Sequence, residues 1–205
     1  MNLVITQLIQ LLSMDKSFNF QLSKNNALSK LVLNLGMTSF IDLYNHVHQL
    51  PYGRNSNRYD LELVIKEEMG TYSSKHAFLK QVAIENNFDK LSLWIGIYKM
   101  NAKNTTGINS VLEAYNLDYI PEAHCYLKYN NKRYDITFSE STSLKFEDSL
   151  LIEEEITPEQ IGIYKVKIHQ DYLKKWIEAS NLSYSFEDLW QIRENCILAL
   201  QNKKA

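Results

Sequence analysis

The chain has 205 residues, a length that fits one domain or one domain with an appended helical piece. A hydrophobic content of 45% and a charged content of 22% are ordinary globular values, so a packed core is expected and long disordered linkers are not. The net charge of -2 and a pI near 6.2 carry no basic excess, and nucleic acid is not an expected partner.

Met1 to Met14 is apolar but has no positively charged n-region, and Thr6, Gln7 and Gln10 interrupt it. It predicts an amphipathic helix over 3–13 rather than a signal peptide. No apolar run is long enough to suggest a membrane span. Leu28, Leu31, Val32 and Leu35 recur at helical spacing and predict a helix over 26–35, stopped by Gly36. A second helix is expected over 38–49, capped by Thr38 or Ser39. His46 and His48 are two apart on it and do not face each other as a metal pair would. Pro51-Tyr52-Gly53-Arg54-Asn55 is a turn cluster that either lines a cleft or only turns the chain.

Residues 60–68 have no decisive period. Gly70 and Thr71 mark a break, and Ser73 or Ser74 is expected to cap a helix running to about Asn87, with Phe78, Leu79, Val82 and Ala83 apolar. His76, in its first turn, reads as a structural hydrogen-bonding residue. Residues 91–99 are almost continuously apolar, which predicts a central strand buried on both faces. A short helix is expected over 107–116, then strands over 121–129 and 133–138 joined by Asn130-Asn131-Lys132.

Glu153-Glu154-Glu155 reads as a solvated charge run. Thr157-Pro158-Glu159-Gln160 predicts one helical turn with Pro at its first position. The alternation of Tyr164, Val166 and Ile168 with Lys165 and Lys167 then predicts a strand. Amphipathic helices are expected over 169–180 and 186–201, with His169 as a surface cap. The two cysteines, Cys125 and Cys196, have no metal spacing and are too few for a disulfide framework, so a reduced, cytoplasmic protein is the expectation. Cys196 shares a helical face with Leu189, Ile192 and Leu200 and reads as core.

One set of residues carries chemistry. A helix N-terminus presents unpaired N–H groups and about half a positive charge. A cysteine placed there is driven toward thiolate, a nearby His takes its proton, and a third group orients the His. In Pro121-Glu122-Ala123-His124-Cys125-Tyr126-Leu127, strand alternation puts Glu122, His124 and Tyr126 on one face and Ala123, Cys125 and Leu127 on the other. Asp135, across the predicted hairpin, comes within hydrogen-bonding reach of His124.

Gly70-Thr71-Tyr72 opening a helix, then His124-Cys125-Tyr126, then Lys132-Arg133-Tyr134-Asp135, resembles the transglutaminase-like superfamily over roughly residues 60–140. That group's pattern is Gly-x-Cys at a helix start, His-x-Trp/Tyr on a strand, and an Asp after a short aromatic segment. The resemblance implies an α+β, papain-like fold, with a central helix against an antiparallel sheet and extra N- and C-terminal helices. It implies one domain over 1–205: a helical part over 1–59, the core motifs over 60–140, and a C-terminal strand and helices over 141–205. It also implies acyl transfer or amide hydrolysis through a thioester in active members, with His124 as base and Asp135 as its orienter.

Tyr72 stands where the resemblance places the cysteine. A phenol of pKa about 10 is a poor substitute for a thiol of pKa about 8.5. Ser73 is one residue along, about 100° around the helix, and is the weaker alternative nucleophile. The expected function is therefore a catalytically impaired transglutaminase-like protein. It keeps the His–Asp pair and a cleft for a peptide or small acyl-bearing ligand, with Tyr72, Tyr126 and Arg54 as binding residues. No cofactor, metal or membrane enters this expectation. The alternatives are an active hydrolase or acyltransferase using Ser73 or a rearranged nucleophile, and an interaction module with no small-molecule site.

Overall fold

The computed structural model describes residues 18–136 and 147–202. The helix expected over 3–13 and the end of the strand expected over 133–138 lie outside these residues. The rest is α+β, with seven α-helices and one four-stranded antiparallel sheet among the described residues.

The sheet holds β1 (Ser92–Met100), β2 (Ile120–Tyr129), β3 (Lys132–Tyr134) and β4 (Leu150–Ile156), in the spatial order β3-β2-β1-β4. β1 is interior, as its apolar run predicts. Its residues divide between two cores by alternation: Leu93, Ile95 and Ile97 join one, Tyr98 and Met100 the other. β2 divides the same way, with Ala123, Cys125 and Leu127 in the first core and Tyr126 in the second. Gly96 faces His124 in the β1–β2 register. A Cβ there would lie 2.6 Å from Leu150 and 3.2 Å from the Tyr126 ring, so no larger residue fits without a shift.

β2 and β3 are joined by a tighter turn than the predicted three-residue loop. Asn130 (φ 48°) and Asn131 (φ 60°) both sit in the left-handed region, the conformation that a two-residue hairpin turn requires and that Asn tolerates. The register is then fixed at Tyr129↔Lys132, Lys128↔Arg133 and Leu127↔Tyr134.

The first core is built on the sheet by α1 (Ala27–Asn34), α2 (Phe40–Gln49), α3 (Leu63–Lys66) and α4 (Tyr72–Glu85). Ser39 caps α2, closing a reciprocal pair with Asp42. α4 is the central helix: Tyr72 through Leu79 are all buried, and it packs against β2. The second core is formed by α5 (Asn109–Ala114), α6 (Ile163–Ser180) and α7 (Phe186–Asn202). Cys196 lies there with Leu189 and Ile192, as its spacing predicts.

The strand expected over 164–168 is absent. That segment is the start of α6, an 18-residue helix entered from a 3-10 turn over Pro158–Ile161. Five alternating residues are too few to separate the two periods. The later strand is instead β4, which contains the glutamate run. β4 is an edge strand, where charged side chains remain solvated and discourage pairing with another chain.

Both thiols should be inert in the folded protein. Cys125 and Cys196 have no exposed surface, and burial pushes both up, Cys196 to about 11. Iodoacetamide should modify them more than about a hundredfold more slowly in buffer than in urea. Comparable rates in the two solvents would mean that the second core is not closed over α7.

Candidate functional site

Thr71 sets the site by starting α4. Its hydroxyl accepts from the Ser74 amide at 3.2 Å, and Ser74 Oγ accepts from the Thr71 amide at 2.9 Å, a reciprocal cap. The cap is therefore Thr71, not Ser73 or Ser74 as expected. The two members of such a cap must be three residues apart, and Ser74 takes the inner place. Tyr72 becomes the first helical residue. Gly70 is needed just before: a Cβ would lie 2.8 Å from Lys75 Cγ and 3.0 Å from Ser74 Oγ.

Beside this turn, a carboxylate lies between two histidines. β3 pairs with β2 only over residues 127–129, so farther along β2, beyond Tyr126, no strand among the described residues covers that edge. Asp135 occupies the opening, with its side chain 4% exposed. His124 Nε2 lies 2.6 Å from Asp135 Oδ2, so the anticipated hydrogen bond is present. His76 Nε2 lies 3.6 Å from Asp135 Oδ1.

His76 is held on both nitrogens. Its Nε2 accepts from the Ile136 amide at 3.1 Å, which leaves the proton on Nδ1 to be donated to the Tyr72 carbonyl at 2.6 Å. Burial, opposed by Asp135, pushes the His76 ring down to about 4. A neutral His76 thus ties α4 to the chain that follows β3, the structural role its position suggests.

Tyr72 separates this pair from open space. Its ring meets the His124 ring edge-on at 4.9 Å and the Tyr52 ring at 4.7 Å. On the Tyr52 side a cavity of about 800 Å³ opens, lined by Tyr52, Arg54, Tyr72 and Ser73 from this half of the chain. Neither His124 nor Asp135 lines it, and His124 is 1% exposed. Burial first, then the neighbouring Tyr52, raises the Tyr72 phenol well above its ordinary value.

The other expected site residues fall as follows. Arg54 lines the cavity and pairs with Glu194 at 2.9 Å. Ser73 also lines it and is buried in the first turn of α4. Tyr126 is fully buried and does not line the cavity; its hydroxyl donates to Glu153, which also binds Lys128 and Arg133. Glu153 is thus a cross-strand partner rather than part of a wholly solvated run.

Sequence reasoning missed the strongest ion pair near the cavity. Glu122 accepts from Arg193 Nε and Nη2, both at 2.6 Å, with only 3% of its side chain exposed. Burial would raise this carboxyl, but Arg193 and then His169 hold it down at about 2. Alternation marks Glu122 as sharing a face with His124, yet nothing local points to a partner 71 residues away. His169 is not a surface cap. It is 2% exposed, and its Nε2 is 2.8 Å from the Pro121 carbonyl, because residue 169 lies inside α6 rather than at a helix end. Lys165, expected on a strand, faces the same cavity from α6.

Among the described residues no cluster of three or more His, Cys, Asp or Glu is placed to hold a metal ion, and no helix is long and apolar enough to cross a membrane. Comparison of the chain with protein-family models, with curated proteins and with solved structures gives no match in any of the three.

Two measurements follow from this geometry. Removing one member of the Glu122–Arg193 pair strands a buried charge, so Glu122→Ala or Arg193→Ala should destabilise by about 3–5 kcal/mol. The double variant should be far less than additive, and simple additivity would show that the two side chains do not interact. The second measurement is stability against pH. The folded His76 value lies below the ordinary 6.5, so as pH falls the unfolded chain takes the proton first. Its stabilisation is complete above about 6.5 and is lost toward pH 4, up to about 3 kcal/mol. Buried His169, also lowered, acts in the same direction. His76→Gln should therefore flatten the denaturation profile between pH 6.5 and 4; an unchanged slope would mean that His76 titrates alike in both states.

Proposed function

We propose that this chain is a transglutaminase-like protein that has lost its thiol chemistry and kept a ligand-binding cavity. The observation that carries the reading is the place of Tyr72. It takes the first position of α4, where the resemblance puts the nucleophile, and its ring lies against His124 with the cavity on its other side. Acyl transfer needs a thiolate at that helix start, a base beside it, and open space in front for the acyl carbon. Here the group is a phenol whose proton is held more tightly than usual, and it fills the space that the acyl group would need.

In this reading the His124–Asp135 pair is a positioning element. It fixes the end of β3 against β2, while Tyr126 packs beside the His124 ring at 6.3 Å. The ligand, a peptide or a small acyl-bearing molecule, meets Tyr72, Ser73 and Arg54 on the cavity side.

The second reading, a hydrolase using Ser73, has one observation in its favour: Ser73 and Lys165 line one cavity, and burial lowers the Lys165 amine toward its neutral, basic form. A serine-directed fluorophosphonate separates the two readings. Labelling at Ser73 would replace the first reading with the second; the expected result is no labelling.

The direct test restores the thiol. In Tyr72→Cys the helix start and His124 should both favour thiolate, so alkylation should titrate well below about 8.5. Adding His124→Ala should return the midpoint toward the unperturbed value. Equal midpoints in the single and double variants would remove His124 from any relation to that position.

A further inference from the structure

We infer that the cavity beside Tyr72 takes an organic anion, a phosphate or carboxylate group carried on an apolar or aromatic body, with Lys165 as its principal counter-charge. The inference deepens the ligand-binding reading above by naming the ligand class, and it rests on that reading only for the cavity's being a binding site.

Five basic side chains line the cavity against two acidic ones. Both acids are already engaged. Glu122 gives both oxygens to Arg193. Glu194 is held by Arg54 at 2.9 Å and also pairs with Arg193. Of the remaining bases, Lys167 is well exposed and pairs with Asp171 at 2.6 Å. Lys165 and Arg58 are left, and among the described residues Lys165 makes no hydrogen bond or ion pair.

The two do not stand in the same surroundings. Arg58 is exposed at the rim, where water solvates its charge. Lys165 is half-buried, and its amine is desolvated; Cys125 and Glu122, the latter already bound to Arg193, attract it at a distance, and Arg193 and Arg58 repel it. An ammonium withdrawn from water without a direct ion pair is unfavourable unless a counter-charge arrives. An anion supplied by a ligand is such a counter-charge.

The first turn of α4 reinforces the same sign. Thr71 through Ser74 line the cavity, so the positive end of a 14-residue helix opens onto it. The walls say what the anion is attached to. Tyr52, Tyr59, Tyr72 and Trp190 line the same space, and about 800 Å³ is far more than a bare oxyanion occupies. Tyr59 is largely exposed at the rim, available to cover an apolar or aromatic body.

The test is calorimetric titration of the full chain with phenyl phosphate, benzoate, inorganic phosphate and the neutral benzamide. Phenyl phosphate or benzoate should bind at one saturable site, whichever head group fits better. Inorganic phosphate should bind more weakly, and benzamide at least tenfold more weakly than the better anion. Lys165→Met should weaken the aromatic anion at least tenfold, Arg58→Gln a few-fold, and Lys167→Met less than twofold. If Lys165→Met does not fold, the Arg58 and Lys167 variants and the benzamide comparison still decide. The inference is overturned if no anion binds the wild type at millimolar concentration, if benzamide binds as well as the anions, or if folded Lys165→Met binds like the wild type. The outcome is independent of the Tyr72→Cys titration. Anion binding without an activated thiol keeps the site and removes the family reading, and the converse keeps the family reading and removes only the ligand class.

Discussion

A single buried carboxylate determines how the parts of this site meet. Asp135 follows the last residue of a three-residue strand, yet its oxygens reach His124 on β2 and approach His76 on α4. A carboxylate there, with 4% of its side chain exposed, is tolerable only with donors in place. His124 supplies the short one. The adjacent Ile136 amide is taken by His76, so the chain leaving β3 is fastened to the central helix as well as to the sheet. All of this depends on the Asn130-Asn131 turn. A slip of one residue in the hairpin would turn Asp135 to the opposite face and leave His124 facing an empty edge.

From that anchor the site divides into two compartments. One is closed and nearly dry, holding Asp135 and the two histidines. The other is the cavity, with its excess of basic side chains. Tyr72 forms the wall between them, touching His124 on one side and Tyr52 on the other. The phenol of Tyr72 closes the way from one compartment to the other.

Much of this was legible in the sequence because it is local. The apolar run of β1 and the alternation that puts His124 with Glu122 and Tyr126 follow from short-range periodicity, whereas the cap of the central helix, expected at Ser73 or Ser74, is Thr71 because the reciprocal pair with Ser74 decides it. What was misread has physical reasons. Tyr164, Val166 and Ile168 alternate for five residues, but the segment lies in a helix whose length only its packing against β2 reveals. Glu153 looks like one member of a charge run because its partners, Tyr126, Lys128 and Arg133, lie on other strands. The Glu122–Arg193 pair and the place of Lys165 in the cavity are products of tertiary folding, and a single sequence carries no local mark of them.

The account rests on Asp135 fixing the tautomer of His124 while the adjacent Ile136 amide fixes that of His76, and long-range proton–nitrogen correlation spectra of the histidine side chains at pH 7 test that most directly. The donor and acceptor pattern requires the His124 proton on Nε2, toward Asp135, and the His76 proton on Nδ1, toward the Tyr72 carbonyl. Both protons should be visible and slow to exchange with solvent, and in Asp135→Asn the His124 proton should exchange faster. Two rings that average freely between tautomers, or a His76 carrying its proton on Nε2, would contradict the account.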